Sequence, residues 1–343
     1  MQSIKFLNPK NDAMKTLIYS ISGFDKPFIE KALHGKLDLA YTELTLNEST
    51  VKMAKGFDAI SIFTSDDASA SVLEKLHALD VKYIALRSKS SDYIDMYKAH
   101  ALGIKVANVP HIPSANAVAE HATALLLALN RKMILGQKMM QLGDYRLDHL
   151  VGFNLHGKTI GIIGTGKTGS AFAKIMHGFG CKILAFDPIK DEELKLETNI
   201  FYTTFNDLCA NSDVISIHCS LNSKTNNLFN KTTFAMMRKE VILINTANGS
   251  IVNTADLLKA LNNGIIAAAG LDVYEHEKEI FFKDHTGTPI NDELFLKLNS
   301  NPNVLITGHQ SYLTAEVLHG IASTTIANLN EWAYNSVCKN EIR

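Results

Sequence analysis

The chain has 343 residues, room for two domains at roughly 150 residues each. Its 34 Lys+Arg against 35 Asp+Glu leave a net charge of −1, which argues against a polyanion-binding surface, so no nucleic-acid partner is expected. With 46% apolar and 20% charged residues it can bury a large core, and wholesale disorder is excluded.

In chain order, residues 1–13 are polar and read as an N-terminal extension without the apolar stretch of a secretory signal. Strand-like runs then alternate with helical patterns: MKTLIYSI (14–21), FDAISIF (57–63) and VKYIALR (81–87), with ASVLEKLHAL (70–79) as a helix between two of them. Such alternation marks βαβ units and a parallel sheet. From Asn116 to about Leu142 a long helical stretch is apolar on more than one face and is expected to be buried, in the core or at an interface. A second alternating series follows, with runs at 158–164, 182–187, 214–219, 240–245, 266–272 and 301–310, then a helix to about Trp332. The longest apolar stretch, Ala122 to Leu129, is far short of a membrane span, so no membrane partner is expected. Cys181, Cys209, Cys219 and Cys338 lack CxxC spacing and read as reduced thiols of a cytoplasmic protein, with neither a disulfide framework nor a metal site.

Gly164-Thr165-Gly166-Lys167-Thr168-Gly169 is a G-x-G-x-x-G that follows a strand and opens a helix. In that context Gly164 permits a tight turn, Gly166 lets backbone approach a pyrophosphate, and Gly169 allows close helix–strand packing. The free N–H groups at the helix start would face the phosphates. Asp187 ends the next strand, 18 residues past Gly169. A carboxylate there accepts from ribose hydroxyls and repels a 2′-phosphate, favouring NAD over NADP; Lys190 is close enough to soften that preference.

Three segments at expected strand ends carry candidate chemistry: LDVYEHE with Asp272 and Glu277, TGHQ with His309, and NTANG with Asn248. Reduction of a 2-keto acid needs a proton donor, a partner that keeps it charged, and a group that holds the carboxylate. A Cys–His pair at His218-Cys219 is not expected to work, because strand neighbours point to opposite faces.

On GIIGTGKTG, DVYEHEKEIFFKD (with Phe281-Phe282) and TGHQSYLTAE, the chain resembles the D-isomer-specific 2-hydroxyacid dehydrogenases, and within them the fermentative D-lactate branch, from about Met14 to about Trp332. The resemblance implies an α/β fold of two Rossmann-like, doubly wound parallel-sheet domains with an interdomain cleft: a substrate domain (14–108 plus 302–343) and an NAD-binding domain (109–301), with hinges near Val109 and Asn301. It implies His309 as acid/base, Glu277 as its partner, and Asp272 supporting the site near the nicotinamide. It places Lys167, Thr168, Asp187, Cys219, Ser220, Thr225, Thr246 and Asp272 at NAD contacts. It also implies a small 2-keto or 2-hydroxy acid substrate and a homodimer or homotetramer.

The family's N-T-x-R-G reads Asn245-Thr246-Ala247-Asn248-Gly249 here, so the arginine that would grip the substrate carboxylate is Asn248. In the substrate loop, Lys89 and Ser90 stand where a small residue and glycine are usual, and His111-Ile112-Pro113-Ser114 follows Val109-Pro110 with one extra residue. Lys89 is a candidate replacement for the lost charge. The reading is therefore an NAD-dependent D-2-hydroxyacid dehydrogenase, most simply one reducing pyruvate to D-lactate. Its alternatives are a dehydrogenase of the same fold for a different 2-keto acid, and a catalytically weak NAD-binding or partner-binding protein.

Overall fold

The apolar runs become strands of two parallel sheets in the computed structural model, which describes residues 13–342. Apart from Ala13, the expected N-terminal extension lies outside the described residues. The chain forms two units: one runs to Pro113 and resumes at Thr314, and the other spans Ser114–Leu313.

In the first unit β1 (Met14–Ile18), β2 (Leu37–Tyr41), β3 (Ala59–Ile62), β4 (Tyr83–Leu86) and β5 (Lys105–Ala107) form a parallel sheet in the order β2-β1-β3-β4-β5. Helices cover both faces, so every residue of β3 is buried and its sequence, AISI, shows no polar side facing water. The Ala315–Asn335 helix returns to this sheet, where Ile326, Leu329 and Trp332 pack with Ile18 and Leu39. Trp332 stacks on Tyr83 with ring centroids 5.0 Å apart. Arg87, just past β4, is 1% exposed; it is ion-paired with Asp25 at 3.2 Å and donates to the Tyr19 and Ser20 carbonyls. Its charge is thus spent inside the unit.

The second unit holds β6 (Thr159–Ile163), β7 (Lys182–Phe186), β8 (Phe201–Tyr202), β9 (Val214–Ile217), β10 (Val241–Asn245), β11 (Ile266–Leu271) and β12 (Val304–Ile306). All pair in parallel, in the order β12-β11-β10-β9-β6-β7-β8. Strand order reverses between β6 and β9, and the carboxyl ends at such a switch point are where open α/β sheets bind ligands.

Two expectations need correction. The single long helix is two, Ala115–Asn130 and Met133–Gln141, broken where Lys132 takes a left-handed φ of 51°. Asn130 fixes the break: its amide nitrogen donates to Phe153 O at 2.8 Å and its amide oxygen accepts from Phe153 N at 3.0 Å. Eight residues of the first helix are buried, whereas none of the second is. The division between units also differs from 108/109 and 301/302. Val109 N donates to Ser88 O at 2.9 Å, which keeps it with the first sheet, and β12 pairs with β11, which keeps 302–313 with the second.

Candidate active site

The glycine-rich turn links β6 to the Lys167–Gly178 helix, and its three glycines do different work. Gly164 has a φ of +92°, and a Cβ there would lie 2.8 Å from Cys219 N at the end of β9. A Cβ on Gly169 would lie 1.9 Å from Gly164 O, so only glycine lets the helix close on the strand. A Cβ on Gly166 would meet nothing within 4 Å: open space lies over the turn, as a cradle for pyrophosphate requires. Lys167 and Thr168 form the first helical positions, exposed and half-buried.

Asp187, at the end of β7, ties this turn down: Thr165 N donates to its Oδ2 at 2.7 Å and Ile189 N to its Oδ1 at 2.8 Å. Tyr202 of β8 adds a contact with no sequence signal, donating to Thr165 Oγ1 at 3.1 Å while accepting from Asp191 N at 3.0 Å. After β9, Thr225 Oγ1 donates to Ser220 O at 2.8 Å and accepts from Asn222 N at 2.8 Å, shaping the loop that follows Cys219. Thr246, just past β10, is 6% exposed with a buried hydroxyl that makes no hydrogen bond, an orphaned group suited to a ligand. The residues present thus fit an NAD dinucleotide. His218 is no partner for Cys219: its Nε2 lies 2.8 Å from Ser216 Oγ, and burial pulls its pKa down to about 3.

The titratable candidates converge past β10, β11 and β12. His309 Nδ1 lies 2.8 Å from Glu277 Oε1, with His309 38% and Glu277 22% exposed. Glu277 is itself fixed, its Oε2 accepting from Tyr274 N at 3.0 Å. Burial pulls the imidazole toward neutrality, but its hydrogen bond to Glu277, the Glu277 charge and the Asp272 charge together lift His309 above the ordinary histidine value. The Phe282 ring lies 5.9 Å from the imidazole.

His309 adopts a left-handed φ of 53°, a costly conformation for a residue with a Cβ. Asp272 holds it there. Its carbonyl accepts from His309 N at 2.8 Å, its Oδ1 from Gln310 N at 2.9 Å and its Oδ2 from Ser311 N at 2.9 Å. The side chain is fully buried and both carboxylate oxygens accept from protein donors, so Asp272 supports the site through the backbone of His309.

Asn248 is brought alongside by Gly249, where a Cβ would fall 2.0 Å from the Tyr274 carbonyl carbon. Its Oδ1 accepts from Ser250 N at 3.0 Å and its carbonyl from Asn245 Nδ2 at 2.9 Å, which leaves the amide nitrogen as the group it can offer a substrate. Lys89 and Ser90 belong to the first unit, both exposed after β4; Lys89 O accepts from Asn108 Nδ2 at 2.7 Å and Ser90 O from Ser88 Oγ at 2.7 Å.

Comparison with known proteins gives the family. Residues 123–311 match the family model for the NAD-binding domain of D-isomer-specific 2-hydroxyacid dehydrogenases. The chain is 40% identical over 329 residues to a 2-hydroxyacid dehydrogenase homolog of Haemophilus influenzae, covering 95% of this chain and 98% of that one. It is 39% identical over 330 residues to the D-lactate dehydrogenase of Escherichia coli, covering 96% and 100%. Among solved structures it resembles the pyruvate reductase of Chlamydomonas reinhardtii, with a TM-score of 0.91 and 36% identity over 96% of this chain and 99% of that one.

Proposed function

The chain belongs to the NAD-dependent D-isomer-specific 2-hydroxyacid dehydrogenases, and on that premise we propose that it reduces pyruvate to D-lactate, with His309 as the acid. The observation that carries this reading is the 2.8 Å contact between His309 Nδ1 and Glu277 at the carboxyl end of the sheet. With Nδ1–H donated to Glu277, the Nε2–H of the imidazolium is left to protonate the substrate carbonyl oxygen. When bound, the reduced nicotinamide supplies the hydride. Glu277 stabilises the charged ring before transfer, and in the reverse direction the neutral ring takes the hydroxyl proton. Lys167, Thr168 and Asp187 are the proposed pyrophosphate and ribose contacts; Cys219, Ser220, Thr225 and Thr246 flank them.

Asn248 offers the substrate carboxylate a neutral donor, and a charge-assisted bond is roughly twice as strong. This favours a second reading, in which a different or larger 2-keto acid draws binding energy from its side chain. Lys89 is our candidate for the counter-charge: Lys89→Ala should raise KM for the keto acid and leave KM for NADH alone. NADH oxidation against a panel of 2-keto acids tests the proposal. It predicts substrate-dependent turnover that His309→Ala abolishes; a chain that binds NADH yet reduces none of them contradicts it.

The reading includes a homodimer or homotetramer. Met133, Ile134, Met140, Leu142, Tyr145 and Leu147 are all exposed in one stretch of the second unit, apolar surface that a second copy would cover.

A further inference from the structure

Asp272 holds the backbone of His309, and a further pair of side chains holds Asp272. Thr307 Oγ1 lies 2.6 Å from Asp272 Oδ1, and His121 Nε2 lies 2.9 Å from Thr307 Oγ1. The same imidazole nitrogen is 3.5 Å from the carboxylate oxygen. The proton directions follow from the chemistry of the groups. An ionised carboxylate only accepts, so the Thr307 hydroxyl hydrogen points to Asp272. The hydroxyl oxygen then has only lone pairs to offer His121, so Nε2 carries the hydrogen.

The fold delivers His121 to this spot by close helix–strand contact. A Cβ on Gly270 of β11 would stand 3.1 Å from Leu125 Cβ and 3.1 Å from Leu129 Cδ1, so the glycine lets the Ala115–Asn130 helix pack close to the strand. His121 lies four residues before Leu125, on the same helix face and one turn further toward the strand ends. Thr307 follows β12, with its N–H donating to Leu271 O at 2.9 Å, so it stands beside Asp272 across two paired strands.

We propose that His121 and Thr307 are positioning residues for the reaction: a donor chain, His121 Nε2–H to Thr307 Oγ–H to Asp272, that keeps the Asp272 carboxylate in place as the clamp on the left-handed backbone of His309. The proposal rests on the reading of His309 as the proton donor. Both act through Asp272. Losing the chain frees the carboxylate to shift, which tilts the imidazole away from its line to the substrate and moves away one of the two negative charges that favour the imidazolium.

The test uses His121→Leu, Thr307→Val and the conservative His121→Gln, whose amide can still donate to Thr307. In the folded proteins, His121→Leu and Thr307→Val should lower kcat about 10- to 100-fold, the scale of a small misalignment at a reacting centre, while KM for NADH stays near the parent value. The high-pH limb of the reductive kcat/KM profile should move to lower pH, and His121→Gln should recover most of both effects. Imidazole NMR of the parent chain should show His121 as the Nε2–H tautomer, and His309 should titrate at lower pH in Thr307→Val. An Nδ1–H tautomer at His121, or unchanged kcat and His309 titration in both donor-loss variants, overturns the proposal. The NMR arms decide the chain even where His121→Leu does not fold. Absence of turnover on every 2-keto acid counts instead against the reduction proposed above.

Discussion

His309 must be charged to donate, yet burial favours its neutral ring; Glu277 and Asp272 reverse that preference, so its pKa in the folded chain lies above the unfolded value. The stability this contributes is fully present below the unfolded histidine pKa and is lost as pH rises through the folded one. Reductive kcat/KM should follow the same window, holding to a pH above that of an ordinary histidine and then falling, while the oxidative reaction rises through it. Glu277→Gln keeps a hydrogen-bond partner but removes the charge, so the reductive limb should move to lower pH; an unmoved profile would mean that Glu277 does not set the ionisation. Asn248 sets the second residue-level expectation. Leaving a desolvated carboxylate without its cation costs about 2–5 kcal/mol, or tens- to thousands-fold in kcat/KM, so Asn248→Arg should raise turnover of pyruvate by up to that order. A folded Asn248→Arg protein that gains nothing would show that its substrate does not rely on a cation there.

Glycine contacts give the element-scale predictions. Gly270→Ala would place a methyl 2.8 Å from Ile244 Cδ1 and about as near to two leucines of the Ala115–Asn130 helix, so it should destabilise by about 1–3 kcal/mol, read from the urea midpoint. Gly169→Ala would meet the backbone of Gly164 instead, and should raise KM for NADH far more than KM for the keto acid. Much at this scale was legible in the sequence. The runs at 158–164, 182–187 and 214–219 became β6, β7 and β9 because strands covered on both faces are apolar throughout. The glycine-rich turn was legible because each glycine answers a different local requirement. The break at Lys132 was not, since it depends on Asn130 meeting Phe153, 23 residues away. Tyr202 and Thr307 were missed for the same reason: a hydroxyl that matters only through the residue it meets from another strand leaves no local pattern. Asp272 was found by its place at a strand end, but its partners, and hence its indirect action on His309, came only with the packing.

At the scale of the whole chain, the sequence suggested two domains, and the structure shows two parallel sheets with the crossings displaced to 113/114 and 313/314. The displacement matters because it puts Thr307, His309 and Gln310 in the same unit as Asp272 and Glu277. If a second copy covers the exposed apolar stretch from Met133 to Leu147, sedimentation should report a dimer or larger, and paired Ile134→Glu and Leu147→Glu changes should yield monomers; a parent chain that sediments as a monomer would remove that part of the proposal. The most direct test of the central claim is NADH consumption with pyruvate and related 2-keto acids by the parent chain and by His309→Ala, each shown to bind NADH. The parent should turn over, and the variant should lose about 10²–10⁴-fold with NADH affinity retained. Equal turnover in the two proteins would contradict it.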